Sequence, residues 1–529
     1  MAGSITPADL KALLDGDSSF ALLDVREAGE YNSTHIPGAS WLPRRRIEFQ
    51  MPDSVPFKGV LVVVCDDDGR RAVLAAATLE GMGYTNVSVL QGGTNAWMNK
   101  ELPTEWGMNV PSKDFGEKVE IQNAVTEISA DDLHDRLESG KHTVILDART
   151  PEEYQRFSIP GSRSLPGGEL AFRITDIAEG LAPDDAIIVN CAGRTRSIIG
   201  ARALQRMGFT NVSALTNGTA GWMLAGYELE RGADQLTMPE PSQKGTAAAE
   251  AYAEMLASED GIQYIDTNGL KGLFKSQSER TIYFIDVRTN PEYGQGHIPG
   301  FQWIPGGQAV QRFDDAAVVK GCTVIFCCDG KARATVAASW YRQLGVKDVY
   351  VLDGGTTAWT AANNALEAGM TARAPVGYAA ASATVAALSP QDVQSNGNAA
   401  VIFVDTSQDF SAVHVPGSRW APRGWMDLRI GDLVPDKQTH IIVTCSDGQA
   451  SALAGVTLKE LGYTNVSRME YGMVEWRAAN LSVEQGLTGV RALPGDIPAD
   501  VVLTGPERNF ADTMTYLRWE TALGEKYRA

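Results

Sequence analysis

The sequence predicts an α/β protein made of four tandem units, each a parallel sheet flanked by helices on both faces. Two observations predict this class. Apolar runs such as Val60 to Val64 are continuous and do not alternate with polar residues, as expected for strands that are buried on both faces. The order strand, loop, strand, loop, helix, strand also recurs along the chain, and strands that alternate with helices are typical of a parallel sheet.

Comparison of the sequence with itself reveals the repeat. In each unit an apolar triplet ends in aspartate and a Pro-Gly pair follows about a dozen residues later. A second apolar run then ends at or beside a cysteine, a helical pattern ends at glycine as helices prefer, and a tryptophan closes the unit. The aspartates are Asp24, Asp147, Asp286 and Asp405, the prolines Pro37, Pro160, Pro299 and Pro416, the glycines Gly83, Gly208, Gly345 and Gly462, and the tryptophans Trp97, Trp222, Trp359 and Trp476.

These repeats define the expected domain boundaries. We expect domains at residues 1–107, 126–230, 248–367 and 386–485, and a tail at 486–529 whose helical pattern from Phe510 to Leu523 packs on one of the domains. Segments near 107–125, 231–247 and 368–386 are rich in polar or small residues and indicate linkers. Three units open with a capped helix, whereas the third opens with the strong helix formers of Ala248 to Leu256.

Composition excludes several functional classes. The net charge of −19 argues against nucleic-acid binding, which needs a basic surface. No apolar stretch approaches the roughly 18–20 residues that a membrane span needs, and the N-terminus lacks the features of a secretory signal. Six cysteines without CxxC or zinc-site spacing favour a reducing compartment. We therefore expect a cytoplasmic protein without metal or cofactor, and its oligomeric state is left open.

The loop Cys191-Ala192-Gly193-Arg194-Thr195-Arg196-Ser197 is the strongest candidate site. It follows the apolar run Ile187-Ile188-Val189 and precedes a helical pattern, so it presents a thiol and two guanidinium groups at a helix N-terminus. A helix N-terminus and nearby cations lower the pKa of a cysteine, and the thiolate is the nucleophile. Successive loop N–H groups also form a nest that binds an anion.

These residues resemble the motifs of the rhodanese family of sulfurtransferases, together with Asp147-Ala148-Arg149 and Ile159-Pro160-Gly161. The resemblance covers four tandem domains, roughly residues 4–485, and implies a five-stranded parallel sheet in each. It implies transfer of sulfane sulfur from thiosulfate, through a persulfide on Cys191, to cyanide or a thiol acceptor. Arg194 and Arg196 would bind the sulfonate, and Ala192, Gly193, Thr195 and Ser197 would form the cradle. Asp147 and Arg149 either shape the entrance or form an ion pair that supports the loop, and Arg196 could itself face Asp147.

The other loops form a graded series when they are aligned on the helix-ending glycines. Cys328, Lys331 and Arg333 make a candidate second site, although Asp329 opposes thiolate formation. In the first unit Asp66 takes the nucleophile's position, one residue after Cys65, so we expect that domain to be inactive. Cys445 aligns with Cys191 but lacks the cations, because Gln449 and Ala450 replace them, and it is the weakest candidate. Cys327 and Cys322 are interpreted as packing residues.

Two alternative functions remain open. A cysteine phosphatase or arsenate reductase uses a Cys-(five residues)-Arg loop, which Cys65 to Arg71 and Cys327 to Arg333 match. The spacing from Cys191 to Arg196 is one residue shorter, and this tighter cradle suits one sulfur better than a phosphate. The other alternative is a persulfide carrier or scaffold whose inactive repeats dock a partner protein.

Overall fold

The computed structural model describes residues 2–182, 184–370, 373–490, 495–497 and 509–528. It contains four parallel sheets, each covered by helices on both faces, so the predicted fold class is confirmed. None of the helices in these ranges is both long enough and apolar enough to cross a bilayer.

The first two domains contain strands β1–β10 and helices α1–α11. In the first domain the elements are β1 (Gly3–Ile5), α1 (Pro7–Asp15), β2 (Phe20–Asp24), α2 (Ala28–Ser33), β3 (Ser40–Trp41), a 3₁₀ turn (Arg44–Arg46), α3 (Ile47–Ser54), β4 (Leu61–Cys65), α4 (Arg70–Gly81), β5 (Val87–Leu90) and α5 (Gly93–Met98). Next come α6 (Val110–Asn123), β6 (Glu127–Ile128), α7 (Ala130–Glu138), β7 (Thr143–Asp147), α8 (Pro151–Arg156), β8 (Arg163–Ser164), α9 (Leu170–Ile177), β9 (Ala186–Asn190), α10 (Thr195–Arg206), β10 (Val212–Leu215) and α11 (Gly218–Leu224).

The remaining two domains repeat this order with additional helices, and the tail follows them. The third domain comprises α12 (Gln243–Asp260), β11 (Gln263–Ile265), α13 (Thr267–Ser276), β12 (Ile282–Asp286), α14 (Asn290–Gln295), β13 (Gln302–Trp303), α15 (Gly306–Gln311), α16 (Phe313–Ala316), β14 (Val319–Lys320), β15 (Thr323–Cys327), α17 (Ala332–Gln343), β16 (Asp348–Leu352) and α18 (Gly355–Ala361). The fourth comprises α19 (Tyr378–Thr384), β17 (Ala386–Leu388), α20 (Pro390–Ser395), β18 (Ala400–Phe403), α21 (Ser407–Ala412), β19 (Arg419–Trp420), a 3₁₀ turn (Arg423–Trp425), α22 (Met426–Leu433), β20 (Ile441–Thr444), α23 (Gln449–Glu460), β21 (Val466–Met469) and α24 (Gly472–Ala478). The tail forms α25 (Phe510–Ala522) and a 3₁₀ turn (Glu525–Tyr527).

Strand order is the same in all four domains. In the second domain it is β6-β10-β9-β7-β8, with every pair parallel. Burial explains the continuous apolar runs: in β20, Ile441 and Val443 belong to one core cluster and the intervening Ile442 belongs to another on the opposite face. A strand packed on both faces has no exposed side on which polar residues would alternate.

The chain divides into two compact units that do not follow the order of the repeats. One unit comprises residues 1–108 and 371–499 and holds the first and fourth domains. The other comprises 109–370 and 500–529 and holds the second and third domains with helix α25. Within the first unit an Arg423–Glu48 ion pair joins its two domains, and within the second unit Gly168 lies against Gly306.

The linker predictions are wrong, because each of the three segments contains or begins a helix. Helix α6 packs on α10, α12 packs on α17 and α9, and α19 packs on α23. Their packed faces carry small residues such as Gly116, Ala253 and Ala381, which let helices approach closely. Small residues give little hydrophobic periodicity, so the helical signal was weak in the sequence.

Two further corrections concern the repeats. In the fourth domain Phe403 pairs with Thr444, as Asp147 pairs with Asn190 in the second domain. Asp405 therefore stands two residues beyond the position of Asp147, where the other domains have arginine. The third unit does open with a capped helix, since Asp266 caps α13, and the predicted departure is the extra helix α12.

Candidate active site

The Cys191 loop connects the C-terminal end of β9 to the N-terminus of α10. A second turn holds it from behind: the Thr219 N–H donates to the Cys191 carbonyl at 2.8 Å, and the Ala220 N–H donates to the Ala192 carbonyl at 3.1 Å. Gly218 makes this approach feasible. Its φ is +55°, and a Cβ at this position would lie 2.2 Å from the Cys191 carbonyl oxygen.

Cys191 is buried at the base of the loop, with 2% of its surface exposed. Its Sγ lies 3.5 Å from the Ser197 hydroxyl, which donates to the Arg194 carbonyl at 2.7 Å. Ser197 therefore links Cys191, at the predicted nucleophile position, to the first turn of α10. No disulfide involves Cys191, and all six cysteines are free and buried.

Arg194 points away from the loop and toward helix α6. Its Nε donates to Glu117 at 2.6 Å, and one Nη donates to Glu117 and to Glu120, both at 3.1 Å. Burial raises the pKa of Glu117 to about 7, although the arginine acts in the opposite direction. The guanidinium is thus bound by carboxylates in this structure, and its predicted contact with a sulfonate stays a prediction.

Arg196 faces Glu153, not Asp147, in a bidentate ion pair with Nη–Oε distances of 2.7 and 2.8 Å. Burial alone would raise the pKa of Glu153, but Arg196 outweighs it and lowers that pKa to about 2. Glu153 also completes the capping box of α8 with Thr150, which fixes its position. The bidentate geometry gives the loop cation a fixed orientation.

Asp147 and Arg149 form a fully buried ion pair beneath the loop. Arg149 donates to both carboxylate oxygens and also to the Phe157 carbonyl at 2.6 Å. Asn190, the last residue of β9, donates to Asp147 at 3.1 Å. The two side chains are 0% exposed, so they brace the strand ends and do not line an entrance.

Helices α6 and α25 cover the outer side of the loop. Gly116 of α6 packs against Thr195, since a Cβ on Gly116 would lie 3.1 Å from the Thr195 Cα. The Thr195 hydroxyl donates to Glu520 of α25 at 2.9 Å. The expected packing of the tail on a domain is therefore seen for α25, and the domain is the second one. Residues 498–508, which precede it, lie outside the described residues.

A cavity of about 570 Å³ reaches the loop at Arg196. Its lining includes Asn109, Thr150 and Glu153 near the second domain's loop and Trp303, Gln308 and Arg312 from the third domain. Because both sides belong to the same compact unit, the third domain completes the surroundings of the Cys191 loop. Arg196 is the residue of the Cys191 loop that lines this cavity.

The first domain shows what the loop backbone binds. Asp66 occupies the nucleophile's position, and its carboxylate accepts from the N–H groups of Gly69 and Arg71. Two N–H groups of this loop thus converge on one carboxylate, as in an anion-binding nest. Cys65 instead ends strand β4 and packs in the hydrophobic core, where burial raises its pKa well above the usual value.

In the third domain the predicted second site is surrounded by acidic residues. Burial, with Asp329 next, raises the pKa of Cys328 to about 12. Arg333 is bound by Glu169, Glu292 and Asp329, while Lys331 pairs with Glu254. Cys327 ends strand β15 and lies in the hydrophobic core, and the strand-end residues of the other loops are likewise fully buried.

In the fourth domain the cradle is present without the cations. The Sγ of Cys445 accepts from the N–H groups of Gly448 at 3.1 Å and Ser451 at 3.3 Å. Burial, with Asp405 next, raises the pKa of Cys445 to about 12. Neither Gln449 nor Ala450 supplies a positive charge, and burial outweighs the hydrogen bonds from Ser451, which act to lower the pKa of Cys445.

Sequence reasoning missed the acidic partners of the site: Glu117, Glu120, Glu153 and Glu520. Glu153 had a usable signal, because Glu30 and Glu292 occupy the same N3 position of the first and third units' capping boxes and bind Arg71 and Arg333 in the same way. The other three come from segments outside the repeat. Their contacts arise only from tertiary packing.

Comparisons with known proteins agree with this architecture. The Rhodanese-like domain family matches residues 6–100, 129–225, 269–362 and 389–479. A crystal structure of a thiosulfate sulfurtransferase from Pseudomonas aeruginosa is 33% identical, with a TM-score of 0.91, and the match covers 99% of this chain and 98% of that one.

Shorter relatives match part of the chain. A thiosulfate sulfurtransferase of Azotobacter vinelandii is 26% identical over 256 residues, which is 41% of this chain and 93% of that protein. A putative sulfur carrier protein of Bacillus subtilis is 32% identical over 102 residues, 19% of this chain and 54% of that protein. Both enzymatic and carrier relatives thus share parts of this sequence.

Proposed function

The chain belongs to the rhodanese family of sulfurtransferases, and from that membership we propose that it transfers sulfane sulfur from thiosulfate to cyanide or a thiol through a persulfide on Cys191. One observation supports the choice of Cys191 as the nucleophile. Among the four equivalent loops, only that of the second domain combines a cysteine at the nucleophile position with two arginines and no acidic residue. The names of the thiosulfate sulfurtransferase relatives support the choice of donor.

In the proposed first half-reaction the Cys191 thiolate attacks the outer sulfur of thiosulfate. A sulfur–sulfur bond forms to Cys191 as the bond to the sulfonate sulfur breaks, and sulfite leaves with the electron pair. The loop N–H groups hold the resulting persulfide as they hold the Asp66 carboxylate in the first domain. In the second half-reaction the acceptor attacks the outer sulfur and Cys191 leaves as thiolate, so the kinetics are ping-pong.

The test compares single cysteine variants of the full chain. Cys191→Ser should abolish thiosulfate:cyanide sulfur transfer because the covalent intermediate needs the thiol. Cys65→Ser is the matched control, since that sulfur lies in the core of the first domain, and its activity should equal that of the unchanged protein. Cys→Ser variants at Cys328 and Cys445 report whether either loop contributes to the measured sulfur-transfer activity. Full activity in Cys191→Ser would refute the assignment.

The second candidate function is a persulfide carrier that delivers sulfur to a protein partner. The match to a putative sulfur carrier supports this second function. The carboxylates that already bind Arg194 and Arg196 support it too. A persulfide trapped on Cys191 without turnover of cyanide or small thiols would favour the carrier. A cysteine phosphatase or arsenate reductase is less well supported, and a phosphate-ester assay of the same variants tests it.

A further inference from the structure

We propose that Glu520 of helix α25 receives the proton of a thiol acceptor at the Cys191 site and so favours thiols that arrive protonated over acceptors that arrive as thiolates. The inference rests on the proposed function, because it requires a persulfide on Cys191. It assigns to the C-terminal helix, which lies outside the repeats, a role in choosing the second substrate.

Helix α25 is in direct contact with the loop. Glu520 Oε1 accepts from the Thr195 hydroxyl at 2.9 Å. A Cβ on Gly193 would lie 3.3 Å from Glu520 Oε2 and 3.9 Å from Leu517, so glycine is what allows the carboxylate to sit against the loop backbone. Ala220, in the turn that holds the Cys191 carbonyl, packs with Tyr516 and Leu517.

The position of Glu520 is fixed from a second side by α6. The Lys113 ammonium lies over the rings of Tyr516 at 5.0 Å and Trp519 at 5.2 Å. Beyond the helix, Lys526 pairs with Asp114 at 2.7 Å and the Tyr527 hydroxyl donates to the same carboxylate at 2.8 Å. Contacts on both sides pre-organise the carboxylate, as a residue that handles a proton requires.

The second carboxylate oxygen of Glu520 is available to accept a hydrogen bond. The residue is 2% exposed, and within the described part of the chain Oε2 has no hydrogen-bond partner within 3.5 Å, although the Tyr516 side chain also interacts with this carboxylate. A buried charged oxygen that lacks a donor carries a desolvation cost that a bound ligand can remove. A neutral thiol offers an S–H, whereas thiosulfate and a thiolate have no hydrogen to donate.

The surrounding charges are consistent with a neutral acceptor. The groups that face Glu520 are Lys113, Glu117 and Tyr516. Burial lowers the pKa of Lys113 to about 8, and Glu520 acts against that shift. Burial, reinforced by Glu520 and Cys191, raises the pKa of Tyr516 well above its usual value, so its phenol is neutral at pH 7.

The step balances without an added oxidant or reductant. The persulfide anion left by the first half-reaction takes a proton from solvent. The acceptor's S–H bond then breaks and its proton passes to Glu520, while the acceptor sulfur bonds to the outer sulfur of the persulfide. The bond between that outer sulfur and Cys191 Sγ breaks, and the electron pair stays on Cys191 as thiolate. The products are an acceptor persulfide, protonated Glu520 and the free enzyme thiolate, which re-enters the first half-reaction after Glu520 releases its proton to solvent.

The test uses the full chain with dithiothreitol and 4-nitrothiophenol, which is already a thiolate at pH 7, as alternative acceptors and thiosulfate as donor. Glu520→Gln keeps the shape and the acceptor for Thr195 but cannot take a proton. The ratio of kcat/KM for dithiothreitol to that for 4-nitrothiophenol should fall by about a hundredfold at pH 7, the lower end of the range for a positioned general base. The deficit should shrink as the pH approaches the pKa of dithiothreitol, which a purely structural defect would not produce.

Controls separate this inference from the proposed function. Glu525→Gln alters an exposed acid of the same tail and should leave the ratio unchanged, while Glu520→Asp should restore part of it. Mass spectrometry after incubation with thiosulfate alone reports whether Cys191 gains one sulfur. If it does and Glu520→Gln leaves the ratio unchanged or lowers both rates equally, the role of Glu520 is refuted. If Cys191 gains no sulfur, the proposed function itself fails.

Discussion

Gly218→Ala tests whether the turn behind Cys191 controls the position of the nucleophile. A Cβ at this residue would lie 2.2 Å from the Cys191 carbonyl oxygen, whereas side-chain contacts of this kind stay beyond 3.0 Å. The two groups must therefore separate by 3.0 − 2.2 = 0.8 Å or more. Since the Thr219 N–H donates to the same carbonyl, the displacement acts directly on the backbone of the nucleophile.

The expected magnitude follows from two costs. A left-handed conformation costs an alanine about 1–2 kcal/mol, and the overpacked contact adds about 1–3 kcal/mol, which gives roughly 2–5 kcal/mol. A displacement near 1 Å also misaligns a reacting group enough to lower its rate by about a hundredfold. We therefore expect both lower stability and a large loss of kcat/KM for thiosulfate.

Two matched variants isolate these effects. Gly226→Ala has φ +93° and nothing within 4 Å of the added Cβ, so it reports the conformational cost alone. Gly355→Ala places a Cβ 2.1 Å from the Cys328 carbonyl oxygen and reports the same clash in the third domain. Scanning calorimetry and steady-state kinetics on the three proteins provide the comparison. Normal activity in Gly218→Ala, or an equal loss in Gly355→Ala, would refute the reasoning.

Two further predictions use the ionisation of buried groups. The folded pKa of Glu153, about 2, lies below the ordinary 4.5, so its stabilisation is present above pH 4.5 and is lost as the pH falls toward 2. Glu153→Gln should therefore lower the urea midpoint at pH 7 and converge with the unchanged protein near pH 2, and parallel pH curves would contradict this. Burial and a neighbouring carboxylate raise the pKa of Cys328 to about 12, so iodoacetamide at pH 8 should alkylate it more slowly than Cys191. Peptide mass spectrometry measures both rates, and equal labelling would overturn the expectation.

Features set by local chemistry were available from the sequence. The helix-ending glycines all have positive φ, between 88° and 102°, because a left-handed residue ends each helix. The loops keep one register, since Cys65, Asn190, Cys327 and Thr444 each end a strand and the next helix begins five residues later. Such features depend on a few adjacent residues and recur four times, so comparison of the repeats recovers them.

The fourth repeat marks the limit of that approach. Its aspartate seemed equivalent to the others, but strand pairing places Phe403 in that position and Asp405 two residues beyond it. A single residue type that recurs in each repeat does not determine which residues of neighbouring strands are paired, whereas the hydrogen bonds between the strands do.

Tertiary structure alone decided what surrounds Cys191. The sequence determined a cysteine and two arginines on one loop, yet helix α6, which resembled a linker, binds Arg194, and α25 from the far end of the chain places Glu520 on Thr195. The pairing of the second domain with the third, and of the first with the fourth, also has no local signal. These contacts join residues tens to hundreds of positions apart, and they form because small residues on one surface leave room for a distant helix to pack closely.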